Sequence, residues 1–148
     1  MRLGFAIRLN QLLLKSILHE NIIVNGEISL EKFLKGDKRF NDDFSNKPYA
    51  LRNIALNLLL ELHMPFRDKK SSLFDNYCYF AAAVAAIKFA AACVYADNDA
   101  PNPDRGFKVL SAFVSRQFAH NNANVELVIK LLKIFHCTSP AYLALIVK

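Results

Sequence analysis

Tyr77-Cys-Tyr-Phe-Ala-Ala-Ala-Val-Ala-Ala-Ile-Lys88-Phe-Ala-Ala-Ala-Cys-Val-Tyr95-Ala96 forms the heart of a segment that runs from Leu73 to Ala96. At about 20 residues it is long enough to span a bilayer. Two features argue against that use. Lys88 sits inside it, and a cation near the middle of a lone span costs roughly 2.5–3.5 kcal/mol on insertion scales. Alanine also stands where a span usually carries Leu and Ile. Small side chains let neighbouring helices approach closely, so the expectation is a central helix inside a bundle, with no membrane span.

Outward from this helix, its start is marked by Ser71 or Ser72 as cap and by Asp75, whose charge suits a helix N-terminus. Its end is marked by Asp97-Asn-Asp-Ala-Pro101-Asn-Pro103-Asp-Arg-Gly106, a turn cluster. Beyond it, Phe107, Leu110, Val114 and Phe118 recur at helical spacing. Asn121-Asn122 breaks that pattern. Asn124 opens a further helix in which Val128, Leu131, Leu132 and Phe135 are expected to face inward, with Glu126 and Lys130 paired at i, i+4. Thr138 or Ser139 then caps a last helix, Ala141 to Lys148, with Pro140 at its first turn. That end is almost wholly apolar and has to dock on its own core or on a partner.

Upstream, Tyr49 to Met64 places Asn53, Asn57 and Glu61 on one stripe, with Leu51, Ile54, Leu58 and Leu62 opposite; Pro65 stops it. Residues 35–48 are polar and carry Gly36, so they read as a loop. Asn25-Gly26 lies between β-prone residues and signals a hairpin. Ser29 caps a short helix, Leu30 to Leu34, closed by Gly36. The stretch around Asn25-Gly26 also resembles the back half of an EF-hand loop. The third and twelfth positions would be Ile23 and Lys32, which cannot coordinate calcium. From Leu3 to Leu18, Arg8, Gln11 and Lys15 fall on one narrow face of a mostly apolar helix.

The fold expected is all-α: a compact single-domain bundle of six or seven helices around the central Ala-rich helix, covering residues 1–148, whether these are a whole protein or a fragment. Composition agrees. The 148 residues are 53% hydrophobic and 22% charged, with 4 Gly and 5 Pro, which excludes disordered and collagen-like classes. A chain of this length buries roughly two-thirds of its unfolded surface, enough for a core without staples.

The search for chemistry returns mostly exclusions. His19, His63, His120 and His136 form no His-Glu-x-x-His pattern, and Cys78, Cys93 and Cys137 form no Cys-x-x-Cys pair. No metal and no cofactor is expected. The four glycines stand alone, so neither a P-loop nor a dinucleotide fingerprint exists. His19 and His63 suit helix C-termini. Three cysteines make no disulfide framework and point to a reducing, cytoplasmic setting. The polar breaks in the N-terminal segment speak against a cleaved signal peptide, which leaves secretion without one as a route.

The net charge of +6 is spread thinly, with knots at Lys32–Lys35–Lys38–Arg39 and Arg67–Lys69–Lys70. A nucleic-acid footprint would be denser, so nucleic acid is not the expected partner; peripheral contact with anionic lipid stays open. The preferred expectation is a helical protein–protein interaction domain without catalytic activity, in composition similar to bacterial effectors, with a protein partner and room for oligomerisation. Its candidate binding residues are Arg8, Gln11, Lys15, Asn53, Asn57, Arg67, Lys69 and Lys70. The alternative is a small enzyme or ligand-binding bundle with a pocket near Lys88, His63 and His120.

Overall fold

The computed structural model describes residues 22–25, 27–47, 49–66, 71–96, 103–120 and 122–147. They form a minimal hairpin, β1 (Ile23–Val24) and β2 (Glu27–Ile28), followed by six helices. These are α1 (Leu30–Phe44), α2 (Tyr49–Glu61), α3 (Leu73–Ala96), α4 (Pro103–His120), α5 (Asn122–Ile134) and α6 (Pro140–Val147). The all-α bundle around an alanine-rich central helix is what the residues form. The N-terminal segment 3–18 lies outside the described residues.

α3 is the axis. Ser72 caps it, the Asp75 backbone N–H donating to Ser72 Oγ at 3.0 Å. Twelve of its 24 residues are buried, and they point all round the helix. Tyr79, Ala83, Ile87, Ala91 and Val94 enter the main core, while Cys78 and Ala81 pack with Leu143 of α6 in a second cluster. Among the described residues this is the one helix long and apolar enough to cross a membrane, and 61% of its most apolar window is buried inside the bundle. The tyrosine hydroxyls find partners at the edge of the core: Tyr79 donates to the Phe118 carbonyl at 2.9 Å and Tyr95 to Asp104 at 3.0 Å. Tyr77 is exposed.

α1 departs from expectation. The sequence pattern suggested a helix ending at Leu34 and a loop over 35–48, yet the helix runs on to Phe44. Gly36 does not close it. It is buried against α3, where a Cβ would collide with the Ala92 carbonyl oxygen and stand 2.9 Å from the Ala96 nitrogen. The missing side chain lets two helices touch backbone to backbone. Phe33, Gly36, Phe40 and Phe44 follow helical spacing on the inner face, and the charges fall outside. Phe40 and Phe44 meet Tyr95 and Phe107 in one aromatic cluster, with Phe40 centroid distances of 5.4 Å to Tyr95 and 5.1 Å to Phe107. The Lys32–Arg39 knot is therefore helix surface, not loop. Arg39 Nη1 donates to the Tyr95 carbonyl at 2.9 Å, capping the C-terminal end of α3 with a cation.

α2 ends at Glu61, shorter than the expected Tyr49 to Met64. It closes in a Schellman motif: the Met64 N–H donates to the Leu59 carbonyl and the His63 N–H to the Leu60 carbonyl, both at 3.0 Å. His63 takes the left-handed position at φ 51°, and its Nδ1–H donates to the Leu60 carbonyl at 2.9 Å. α5 ends the same way, with His136 at φ 55° and the Cys137 N–H on the Leu132 carbonyl at 2.8 Å. α4 begins at Pro103, ahead of the expected Phe107 pattern, because Asp104 is anchored to Tyr95 and to Lys47 at 3.4 Å. Its expected face is inside: Phe107, Leu110 and Val114 are buried, and Phe118 packs on them.

Candidate functional site

α5 is an unbalanced element. Glu126, Lys130 and Lys133 occupy a narrow stripe at i, i+4 and i+7. Nearly everything else on the helix is apolar, so two apolar faces flank one polar line. The bundle covers one of them: Val128 and Ile129 pack on the main core and Leu132 on the second cluster. The other faces out. Leu127, Leu131, Ile134 and the following Phe135 are all exposed, Phe135 by 68%. Leu131 and Phe135 were expected inside, so those two assignments are corrected. The helix has more apolar circumference than α3 and α4 can cover.

At the edge of this face lies a shallow groove of about 390 Å³ between α3 and α5. Asp75, Glu126, Ile129, Lys130, Lys133 and Ile134 line it, so Ile134 belongs to both groove and face. Lys133 Nζ reaches Asp75 at 2.8 Å. The hydrogen bond from Lys133, with help from Ser72, holds the Asp75 carboxyl below the usual carboxylate range. Burial, reinforced by the nearby Asp75 charge, pushes the Cys78 thiol up. Burial pushes Cys93 up to about 12. Neither thiol is primed as a nucleophile, since reactivity follows the thiolate. Cys137 is half-buried, and its Sγ–H donates to the Phe135 carbonyl at 3.3 Å.

A second concavity of about 320 Å³ lies between α1, α2 and α3 and contains Lys88. Its floor is apolar, from Leu51, Ile54, Ala55, Val84 and Ile87, and Asn41, Arg52 and Lys88 supply its polar atoms.

Of the binding residues expected from sequence, Arg8, Gln11, Lys15, Arg67, Lys69 and Lys70 lie outside the described residues. Asn53 and Asn57 are exposed on α2, as the stripe implied, and line neither concavity. Of the residues expected around a pocket, Lys88, His63 and His120, one lines a concavity. Lys88 lines the cleft, whereas exposed His63 caps α2 through its backbone and ring; the side chain of His120 is not among those described. Among the described residues, no three His, Cys, Asp or Glu side chains gather as a metal site.

The Tyr95–Asp104–Lys47 chain is the most connected polar group. Lys47 also stands 5.6 Å from the Phe44 ring centroid. The Tyr95 hydrogen bond, aided by Lys47, lowers Asp104. Burial and the Asp104 carboxylate raise the Tyr95 phenol. A raised phenol hydrogen-bonded to a lowered carboxylate fastens α3 to α4 and has no proton to exchange near neutral pH.

The described residues form an all-α bundle with one helix face left uncovered, and the class the fold defines is that of all-helical bundle domains. Residues 5–146 match the family described as the FliB lysine N-methylase C-terminal domain, and the chain belongs to that family. No curated protein and no solved structure matches it. The family description names a methylase domain and says nothing of an effector.

Proposed function

We propose that this domain serves a lysine N-methylase as its protein-docking part and leaves methyl transfer to another portion of the enzyme. The observation that carries the reading is the outer face of α5, Leu127, Leu131, Ile134 and Phe135, set in a domain of this family. A helix apolar on both sides is at home between two protein layers, and this bundle supplies one. The partner is the catalytic portion of the methylase, and the polar edge formed by Glu126, Lys130 and Lys133 fixes the register of docking. Free Cys78, Cys93 and Cys137 support a reducing, cytoplasmic setting.

The test is sedimentation velocity and calorimetry on the purified domain mixed with the separately purified catalytic portion of a lysine N-methylase of this family. A one-to-one complex is expected, weakened by about 2 kcal/mol or more when Leu131→Glu and Phe135→Glu place charges at the centre of the face. A mixture that never associates, or a complex indifferent to those changes, overturns the proposal.

A further inference from the structure

We infer that the outer face of α4 is a docking surface for an acidic helical segment of a partner protein. This face shares no residue with the α5 face and does not depend on the docking proposal. Among the described residues of α4, those exposed are Arg105, Lys108, Val109, Ala112 and Arg116, at i, i+3, i+4, i+7 and i+11. That spacing sets them in one stripe about 16 Å long.

The charges of the stripe have one sign. The single acid in the sequence of α4 is Asp104, which is held by Tyr95 at 3.0 Å and by Lys47 at 3.4 Å. Other helices mix their signs: Glu31 and Asp42 stand among Lys32, Lys35 and Lys38 on α1, and Glu126 beside Lys130 on α5. A surface that serves solubility alone intersperses both signs, whereas a face of one sign attracts its opposite. Arg105 has a contact of its own, so Lys108 and Arg116 carry the charge argument. Lys108 also acts through space on Asp104, a carboxylate already bonded to Tyr95 and Lys47.

The kind of occupant follows from what lies between the two cations. Val109 is 66% exposed and Ala112 is small, so the middle of the stripe is apolar and low. A partner helix can settle over Ala112 and cover Val109 with an apolar side chain. Lys108 and Arg116 stand about 12 Å apart along the axis, just over two turns. Carboxylates seven or eight residues apart on the partner helix meet both. A bilayer contact needs more apolar surface than one valine supplies. A nucleic-acid footprint is a denser field of cations than this single file.

The probe is a labelled helical peptide of repeated Glu-Ala-Ala-Leu-Glu-Ala-Ala heptads, titrated with the whole chain and read by fluorescence anisotropy. The same peptide with Gln in place of Glu is the neutral control. The acidic peptide is expected to bind saturably, and the Gln peptide about tenfold or more weaker. Lys108→Glu combined with Arg116→Glu, both at exposed positions, is expected to weaken the acidic peptide by about tenfold or more, because two attractions become repulsions. Lys32→Glu combined with Lys35→Glu on α1 changes the net charge equally and is expected to leave binding within about twofold, since screening confines the effect to the face itself. Leu131→Glu on α5 is expected to leave it unchanged. Equal binding of the Gln peptide, equal losses from the α1 and α4 pairs, loss through Leu131→Glu, or the absence of saturable binding each overturns the assignment. Phosphatidylglycerol vesicles and duplex DNA are titrated alongside. Tighter binding of either, lost through Lys108→Glu with Arg116→Glu, overturns the assignment to a protein helix.

Discussion

The α1–α3 seam and the α5 face use their apolar residues in opposite ways. Along the seam every inner position is matched. Gly36 meets the Ala92 backbone, Phe40 and Phe44 meet Tyr95 and Phe107, and Arg39 closes the end of α3. The charges of α1 lie on the opposite side, so the helix has one solution. On α5 the charges form a line and the apolar residues form two faces, of which one is covered. Close packing holds the seam together, while on α5 apolar surface stays exposed.

The contrast gives an ordered set of expectations. Phe40→Ala empties the centre of the seam and is expected to cost about 3–5 kcal/mol in urea unfolding. Gly36→Ala pushes α1 off Ala92 and is expected to cost about 1–3 kcal/mol, toward the upper end because the obstacle is backbone. The two lowered carboxylates, Asp75 and Asp104, predict loss of stability in acid. A carboxyl lowered by folding stabilises the fold above its ordinary pKa, about 3.9, and that contribution disappears as pH falls through the lowered value. Melting temperature followed from pH 7 downward should drop most steeply near and below about pH 4, and less steeply in Asp104→Asn. His136→Gly should stabilise modestly. Relief of left-handed strain, ~1–2 kcal/mol, exceeds the ~0.5–1 kcal/mol cost of a freer unfolded chain, which a shift in urea midpoint would register. Phe135→Glu should change stability least, within about 0.5 kcal/mol, since that side chain touches mainly solvent. A large loss from Phe135→Glu, or none from Phe40→Ala, would reverse the comparison.

Much of the architecture is legible in the residues. The central helix with its Ser72 cap, the Asn25 hairpin, the inner faces of α2 and α4, and the Ser139 cap, where the Tyr142 N–H donates to Ser139 Oγ at 3.2 Å, all follow local chemistry. The extension of α1 was hidden because Gly36 looks like a terminator unless Ala92 is known to lie against it. Phe33, Gly36, Phe40 and Phe44 carried the helical spacing, but a run of charges between them suggested a loop.

The candidate sites were harder to see. Lys88 was visible as an anomaly, but its neighbours Arg52 and Asn41 come from other helices, which only tertiary packing brings together. On α5, Leu131 and Leu132 are adjacent and chemically identical, and periodicity alone cannot decide which points inward. The narrow charge line through Glu126, Lys130 and Lys133 was the available sign that both flanks needed cover.

Hydrogen exchange read by mass spectrometry, on the domain alone and mixed with the catalytic portion of the methylase, tests the central claim most directly. The account predicts slowed exchange confined to residues 126–136 on mixing, with the α1–α3 amides unchanged. Slowing over α1 and α3 with residues 126–136 unaffected would contradict it.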